Sequence, residues 1–403
     1  MTTKKKVEAE APSDRSAEVR EQFRSAEAAL NELLIERSPE IRGLMLAALT
    51  SEHVFQLGKP GVAKSLLCEA FAYLFEANYF AWQFSRYTTP DEIFGATDIM
   101  ALKQGHVKRI TTGKLPWAAF AYLDEIWRGS SAVLDTTNAL LNERRFYNDG
   151  GYEQCPLVTA VTAANSLPEE SLEASYDRFL FRFNVGDLSD GGLVELMTRQ
   201  AMGFDWEDAK KALPIIGLPA LQDAQGFVKA QPVDIATVAQ ATKKIRQALA
   251  QLPNPMYVSP RRIAKSIRVM QANAWLDGRD EAGQDDITVL NDILWDNPEQ
   301  IASVKQVVAA FANPLLSTAL GFKKNVEDMV AEVEAGNPGE SRRAAASTAF
   351  NRGCTALKEI DKAQSTSFAV ATTRREIAAL VKRVAVNELG MKPEQAENAV
   401  SVK

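Results

Sequence analysis

The segment Gly58-Lys-Pro-Gly-Val-Ala-Lys-Ser65 has the residue types of a loop that binds phosphate. It follows a short apolar run with strand character and precedes a helical stretch, which is the setting such a loop needs. Gly58 and Gly61 keep side chains away, so that backbone N–H groups can close around a phosphate beside the positive end of the following helix. Lys64 would reach the outer phosphates, and the Ser65 hydroxyl would bind Mg²⁺. The segment therefore predicts a nucleoside triphosphate site, whose other candidate contacts are Pro60, Val62, Ala63 and Leu66.

Ala63 departs from the usual pattern G-x-x-x-x-G-K-[ST], in which a glycine stands before the lysine. Alanine is tolerated there if the backbone already has helical dihedral angles, because only a left-handed φ would penalise its Cβ. A working loop with this sequence is therefore expected to be right-handed at Ala63.

Two adjacent carboxylates, Asp124 and Glu125, follow the apolar run Phe120-Ala-Tyr-Leu123. This run reads as a buried strand, and the carboxyl ends of parallel strands face the crevice where α/β sheets bind ligands. Asp124 can then hold the Mg²⁺ shell, while Glu125 orients and deprotonates an attacking water. The alternative is an ordinary solvated acidic turn, and the phosphate loop favours the catalytic interpretation.

Three further residues could act on the same phosphate. Asn165 follows the strand-like run 157–163 and could hydrogen-bond the γ-phosphate or the attacking water, although alone it reads as a turn residue. Arg178 could neutralise transition-state charge on a neighbouring subunit, with Arg182 as the competing candidate. Arg261 opens a helix and could reach back to the nucleotide. Taken alone, each arginine is equally well a surface residue.

The composition limits the class of protein. The 403 residues are 46% hydrophobic and 24% charged, which is typical of a soluble globular protein with two or three domains. The net charge of −6 gives no global positive field for nucleic acid or anionic lipid. Three widely spaced cysteines and two histidines argue against a zinc site or a disulfide framework. Because no apolar run approaches about 18 residues, we expect a cytoplasmic protein without a membrane segment.

The order of patterns along the chain predicts four regions. Residues 1–14 are polar and are expected to be disordered. Residues 15–186 contain strand-like runs at 53–57, 79–84, 120–123 and 157–163 that alternate with helical stretches, which indicates an α/β domain with a parallel sheet. Residues 187–313 are nearly all helical, and 314–403 form Ala-rich helices after a predicted turn at 336–339. Within the first domain, Asn148-Asp-Gly-Gly151 predicts a hairpin.

Taken together, the motifs resemble the MoxR branch of the AAA+ ATPases, in the helix-2-insert clade, and most closely its RavA type. The resemblance covers roughly 28–310, and Ala before the lysine is common in that family. The matching segments, in order, are 34–42, Gly58–Ser65, Thr89-Pro-Asp-Glu-Ile-Phe-Gly95, Leu123-Asp-Glu-Ile-Trp127, Leu141-Asn-Glu-Arg-Arg-Phe146, 172–179 and Val258-Ser-Pro-Arg-Arg262.

The resemblance implies an AAA+ P-loop core with a helix-2 insert near 95–113 and a pre-sensor-1 hairpin, followed by an all-helical lid. ATP and Mg²⁺ would lie between core and lid, with Asn165 as sensor 1 and Arg261 as sensor 2. Arg178 would be supplied in trans within a homo-hexamer.

The same resemblance implies a protein client and a partner with a von Willebrand factor A domain. We expect this chain to lack that domain, because Asp187-Leu-Ser-Asp-Gly191 has Gly191 where the metal-adhesion motif needs a second serine. The partner would therefore be a separate chain. The resemblance ends near residue 310, where RavA-type proteins carry a β-rich module. In this chain residues 314–403 are predicted to be helical, and they would form a C-terminal extension for oligomer packing or partner docking.

Two other functions remain open. A nucleotide-gated scaffold would bind ATP with incidental turnover. A DNA-associated motor is the other alternative, because Lys103, His106, Lys108 and Arg109 form a small basic cluster. The net negative charge of the chain argues against nucleic acid as a partner.

Overall fold

The computed structural model describes residues 14–169, 172–312, 314–335, 340–363 and 368–401. Most of the predicted tail (1–13) and the predicted turn at 336–339 lie outside these residues. The chain forms two compact units, and the first takes the described residues of 1–233, 258–282 and 292–301. The second takes those of 234–257, 283–291 and 302–403. The first unit contains helices on both sides of residue 187, and the predicted domain boundary at that residue stays a prediction.

A parallel sheet forms the centre of the first unit. The strands of this sheet are β1 Val54–Leu57, β2 Tyr79–Gln83, β3 Phe120–Asp124, β6 Thr159–Ala164 and β7 Phe181–Asn184. The order of these described strands across the sheet is β2-β3-β6-β1-β7. Its central strands are buried along their length, as their continuous apolar runs predict. The predicted α/β parallel-sheet fold is confirmed.

Helices pack against the sheet. The helices of the first unit are α1 Asp14–Leu33, α2 Ser38–Thr50, α3 Lys64–Tyr73, α4 Pro90–Phe94, α5 Ile99–Lys103, α6 Ser131–Glu143, α7 Glu173–Tyr176, α8 Asp190–Ala201, α9 Trp206–Lys211, α10 Leu218–Ala230 and α12 Pro260–Leu276. In α12, the Ser259 hydroxyl accepts from the backbone N–H of Arg262 and Pro260 occupies the first turn, so that the start of this helix is sharply defined.

The predicted hairpin is present, with strands β4 Arg145–Asn148 and β5 Gly151–Gln154. Its turn residues Asp149 and Gly150 both have positive φ, as a tight hairpin turn requires. The Asn148 side chain accepts from Arg109 N–H at 2.8 Å and donates to Arg109 O at 3.3 Å. The hairpin and the 95–113 insert are therefore tied together.

The second unit is helical in its described residues. Its helices are α11 Ile235–Ala250, α13 Ile301–Phe311, α14 Pro314–Ala335, α15 Glu340–Lys362, α16 Phe368–Asn387 and α17 Pro393–Val400. Helices α14, α15 and α16 pack together around a separate apolar core. On α14 that core takes Val326, Val330 and Val333, which recur at helical spacing. The predicted helical extension is confirmed. Among the described helices, none is both long and apolar enough to cross a membrane.

His53 lies buried at the start of β1 with both ring nitrogens engaged. Its Nδ1 accepts from Ala160 N–H at 3.0 Å, and Nε2 lies 2.8 Å from Leu141 O. With Nδ1 accepting, Nε2 carries the proton and donates to Leu141 O, so the ring is neutral. Burial, and next the nearby Arg144 guanidinium, hold the pKa of His53 well below its usual value.

This depressed pKa predicts a loss of stability in mild acid. Below about pH 6.5 the unfolded chain protonates His53 while the folded chain does not, so the free energy of unfolding falls as pH falls, by up to about 1.4 kcal/mol per pH unit. We expect urea unfolding between pH 5.5 and 7.5 to show this slope, and His53→Asn, which keeps an acceptor for Ala160, to reduce it. The exposed His106 provides the matched control, because His106→Asn should leave the slope intact. Equal slopes in all three proteins would contradict a buried neutral His53.

Candidate active site

The loop between β1 and α3 is shaped to collect backbone N–H groups. Gly61 and Ala63 have left-handed φ values of 86° and 64°, while Val62 between them does not. Alternation of this kind forms a concave N–H nest that binds anions. A Cβ added at Gly61 would meet nothing within 4 Å, so glycine is needed there for its backbone conformation and not for space.

The expectation of a right-handed backbone at Ala63 is wrong. This residue is the N-cap of α3, with φ 64° and ψ 22°. Left-handed geometry costs an L-residue about 1–2 kcal/mol, so the strain that a glycine would avoid is present in this loop. The nest then depends on surrounding contacts, such as the 3.1 Å hydrogen bond from Arg37 Nε to Val62 O.

Gly58 serves a different purpose from the one predicted. Its N–H donates to Ala164 O at 3.1 Å, which continues the β1–β6 ladder, and this donor is therefore committed within the sheet. A Cβ on Gly58 would lie 2.6 Å from Val185 O. Glycine is required here because the backbone after β7 passes against the loop.

Lys64 and Ser65 begin α3 at the mouth of the loop. The Lys64 ammonium donates to Gly58 O, and to Lys59 O at 3.1 Å. Burial lowers the pKa of Lys64, and the negative charges of Asp124 and Glu125 oppose that effect. The lysine is thus held over the loop and close to both carboxylates, and the Ser65 hydroxyl is exposed beside it.

Asp124 and Glu125 point into the same space by a local backbone turn. Asp124 ends β3, and its Oδ1 accepts from the Glu125 N–H at 3.1 Å. Glu125 has φ 52° and ψ 39°, the second left-handed non-glycine residue at this site. Its Oε2 lies 3.2 Å from Nε of Arg128, which follows in the 3-10 helix Ile126–Arg128. Glu125 is therefore buried and forms an ion pair with the exposed Arg128.

These parts surround a cavity of about 900 Å³. The predicted residues in its lining are Pro60, Gly61, Val62, Ala63, Lys64, Ser65, Leu66, Asp124, Glu125 and Asn165. The nest and Lys64 match the charge of a triphosphate, while the Ser65 hydroxyl and the Asp124 carboxylate are the oxygen donors Mg²⁺ prefers. The residues present fit ATP with magnesium.

One wall of this cavity was not predicted from the sequence. It is apolar and is made by Leu33, Leu34, Ile35, Leu193, Leu196, Phe204 and Trp206. These side chains come from the end of α1 and from α8 to α9, which are far apart in sequence. Arg199 joins the two parts, since its guanidinium donates to Leu33 O and Glu32 O, each at 2.9 Å. An apolar wall opposite a phosphate loop suits the base of a nucleotide.

Arg178 and Arg261 lie outside the cavity that contains the phosphate loop. Both line a second cavity of about 250 Å³, together with Asn142, Arg144 and Lys265, and neither lines the first. Arg261 donates to Asn142 Oδ1 at 2.8 Å. Arg182 is fully buried, so the structure leaves it unable to reach another molecule. The structure thus brings together ten of the predicted residues and separates the two arginines from them.

Comparisons with known proteins give the family. Residues 21–217 match a model described as the MoxR domain in the MoxR-vWA-beta-propeller ternary systems, and residues 237–308 match an AAA lid domain. The chaperone MoxR1 of Mycobacterium tuberculosis is 30% identical over 275 residues, which cover 65% of this chain and 71% of that protein. The chain belongs to the MoxR family of AAA+ ATPases.

Further similarities extend over about three quarters of the chain. Two uncharacterized proteins of Methanocaldococcus jannaschii are 36% and 34% identical over 308 residues, covering 76% of this chain and 78% and 80% of theirs. The crystal structure of a candidate ATPase from Cytophaga hutchinsonii superposes with a TM-score of 0.60 and 18% identity, covering 74% of this chain and 95% of that one. This structural similarity supports the fold. The finer likeness to the RavA type stays a prediction.

The strained Ala63 gives a direct test of the loop. Ala63→Gly should raise the free energy of unfolding by up to about 1 kcal/mol and bind ATP at least as tightly, because the left-handed φ no longer meets a Cβ. Ala63→Val should weaken ATP binding by about tenfold or more, since a β-branched residue opposes this conformation most strongly. Binding of a fluorescent ATP analogue measures both effects. The exposed helical Ala132 supplies the control, as Ala132→Val should bind normally; tight binding by Ala63→Val would disprove the strained nest.

Proposed function

We propose that this MoxR protein hydrolyses ATP with Mg²⁺ in a hexameric ring whose sites are shared between neighbouring subunits. The observation that carries the proposal is the presence of two separate cavities on one unit. The first has the phosphate loop and the carboxylates, and its two arginines, Arg37 and Arg199, donate to backbone carbonyls. The second presents Arg178 and Arg261. The first cavity therefore has the residues that could bind a triphosphate, and the second has the arginines that could stabilise its transition state.

Within the first cavity the residues divide the work. The nest around Gly61 and Ala63, with Lys64, holds the phosphates in line for attack. Magnesium, held by Ser65 and Asp124, would neutralise charge on the phosphate oxygens. Glu125 accepts the proton of the attacking water, after its carboxylate has moved from Arg128. Asn165 orients that water or the terminal phosphate.

The second cavity supports an action on another subunit. Arg178 and Arg261 are close enough that, after burial, Arg261 is the main cause of the lowered pKa of Arg178. Two adjacent guanidiniums favour an anion between them, and a γ-phosphate fits this requirement. We therefore propose that Arg261 contacts the neighbour's nucleotide, whereas the family resemblance implies contact with the nucleotide of its own chain. An arginine supplied in this way accelerates phosphoryl transfer by about 10³–10⁵.

The tied insert and hairpin support a client that is a polypeptide. Exposed apolar side chains occur along the insert at Ile99, Met100, Leu102, Val107 and Ile110, and the hairpin exposes Tyr147 and Tyr152. Of the basic cluster, Arg109 is paired with Asp91 and His106 contacts Asp149. Apolar exposure beside partly paired charge favours extended protein over DNA. The description of the matching family model supports a separate von Willebrand factor A domain partner.

Complementation between two inactive variants tests the shared site. Arg178→Ala retains an intact phosphate loop, and Glu125→Gln retains an intact arginine, so each alone should lose at least about 10³ in ATPase rate. Random mixing of equal amounts should restore about one quarter of the wild-type rate, since half of the loops are intact and half of their neighbours carry Arg178. A coupled-enzyme ATPase assay measures the recovery. Arg15→Ala, at an exposed ion pair with Asp223, is the control and should be fully active. Absence of recovery in mixed assemblies would refute the shared site.

A nucleotide-gated scaffold is the second candidate function, favoured by the contact between Glu125 and Arg128. In that case Glu125→Gln, which still binds ATP, should preserve remodelling or partner binding. Under our proposal it should trap the ATP-bound ring and abolish release of a bound partner. Pull-down with the partner in ATP, followed by a chase with ADP, separates the two functions.

A further inference from the structure

Two buried arginines and two partly exposed aspartates form an ion-pair network that includes chain neighbours of Arg178 and Arg261. Arg262 donates from Nε to Asp177 Oδ1 at 2.9 Å and from Nη2 to Asp296 Oδ1 at 2.6 Å. Arg182 reaches the same Asp296 carboxylate and donates from Nη1 to Trp295 O at 2.7 Å. Its guanidinium also stacks 3.9 Å from the Tyr176 ring centroid. Two positive and two negative side chains thus neutralise one another.

The network joins three parts of the first unit that are distant in sequence. Asp177 follows α7, Arg262 lies in the first turn of α12, and Asp296 belongs to the segment between Trp295 and the 3-10 helix Pro298–Gln300. Arg262 is 7% exposed and Arg182 is 0% exposed. Burial raises the pKa of Asp296, but the Arg262 and Arg182 guanidiniums outweigh it and hold that pKa below its usual value. The carboxylate is therefore charged and shared by both arginines.

Covalent neighbours connect this network to the second cavity. Asp177 immediately precedes Arg178, and Arg262 immediately follows Arg261. The Asp177–Arg262 ion pair therefore joins the backbone that carries one cavity arginine to the backbone that carries the other. Two like charges repel, so their joint placement needs such a tie. Burial of the Arg262 guanidinium is costly in desolvation, and the best-attested use of such ion pairs is to select one register.

We infer that Asp177, Arg262 and Asp296 form a bracket that holds Arg178 and Arg261 at one spacing, so that both contact the neighbouring subunit's triphosphate together. This inference rests on the proposed function. The three residues are positioning residues, since they act through Arg178 and Arg261. Small displacements of positioned groups cost about 10²-fold in rate, which sets the size of the expected effect.

The test compares bracket variants in two backgrounds. In the otherwise wild-type chain, Asp177→Asn and Arg262→Lys should each lower kcat by about 10- to 100-fold and leave the KM for ATP within about twofold, because the chain's own nucleotide cavity is untouched. In the double variant Arg178→Ala/Arg261→Ala, the same substitutions should cause no further loss of kcat. Such non-additivity is expected only where one group acts through another.

Asp277→Asn is the control, because Asp277 is a more deeply buried aspartate at the other end of α12, and its Oδ1 lies 2.5 Å from Nη2 of Arg42 on α2. It should leave kcat per folded subunit unchanged, with thermal unfolding measured for every variant. Equal fold-losses of kcat in both backgrounds would overturn the bracket and leave the shared site standing. Full activity of the double variant Arg178→Ala/Arg261→Ala would overturn the shared site itself, and the bracket with it.

Discussion

The register of three parallel strands places every catalytic candidate of the first cavity. Leu57 of β1 pairs with Ala164 of β6, and Asp124 of β3 pairs with Ala163. The strands therefore end within one residue of each other, and the phosphate loop, the carboxylates and Asn165 all leave the sheet at the same edge. A slip of one residue in β3 would turn Asp124 to the opposite face, since side chains alternate along a strand. The hydrogen bond from Gly58 N–H to Ala164 O extends this register into the loop, which is why the glycine is needed there.

Local strain is concentrated at the two cavities. Four of the seven described non-glycine residues with left-handed φ line one of them: Ala63 and Glu125 the first, Ser51 and Arg144 the second. Conformations of this kind persist only where the surroundings enforce them. At Glu125 the turn allows two consecutive carboxylates to serve one site, although neighbouring residues of a strand would face opposite ways. The strain is thus a condition of the chemistry.

Much of this arrangement could be predicted from the sequence, because its signals are local. The loop glycines, the Asp124-Glu125 pair after an apolar run, the hairpin at Asp149-Gly150 and the start of α12 at Pro260 each depend on a few adjacent residues. The apolar wall could not be predicted, since Leu33 and Trp206 meet only through the folded chain. For Ala63 the sequence predicted a right-handed backbone, whereas the structure has a left-handed one. Alanine gives no local indication of φ, and the packing of the loop determines it. The burial of Arg182 could not be predicted from the sequence either, because its partner Asp296 is more than a hundred residues away along the chain.

The separation of charge between the two cavities has a thermodynamic consequence for the proposed ring. Arg178 and Arg261 repel each other in the isolated subunit, and a neighbour's triphosphate would relieve that repulsion. Nucleotide bound in one subunit would then strengthen the contact with the next. By linkage, assembly must tighten nucleotide binding by the same factor. The bracket increases this coupling, because a rigid pair of guanidiniums loses less freedom when it meets the phosphate than two independent side chains would. In the proposed ring, therefore, the ion pairs of Arg262 with Asp177 and Asp296 would matter for cooperation between subunits as much as for the stability of one.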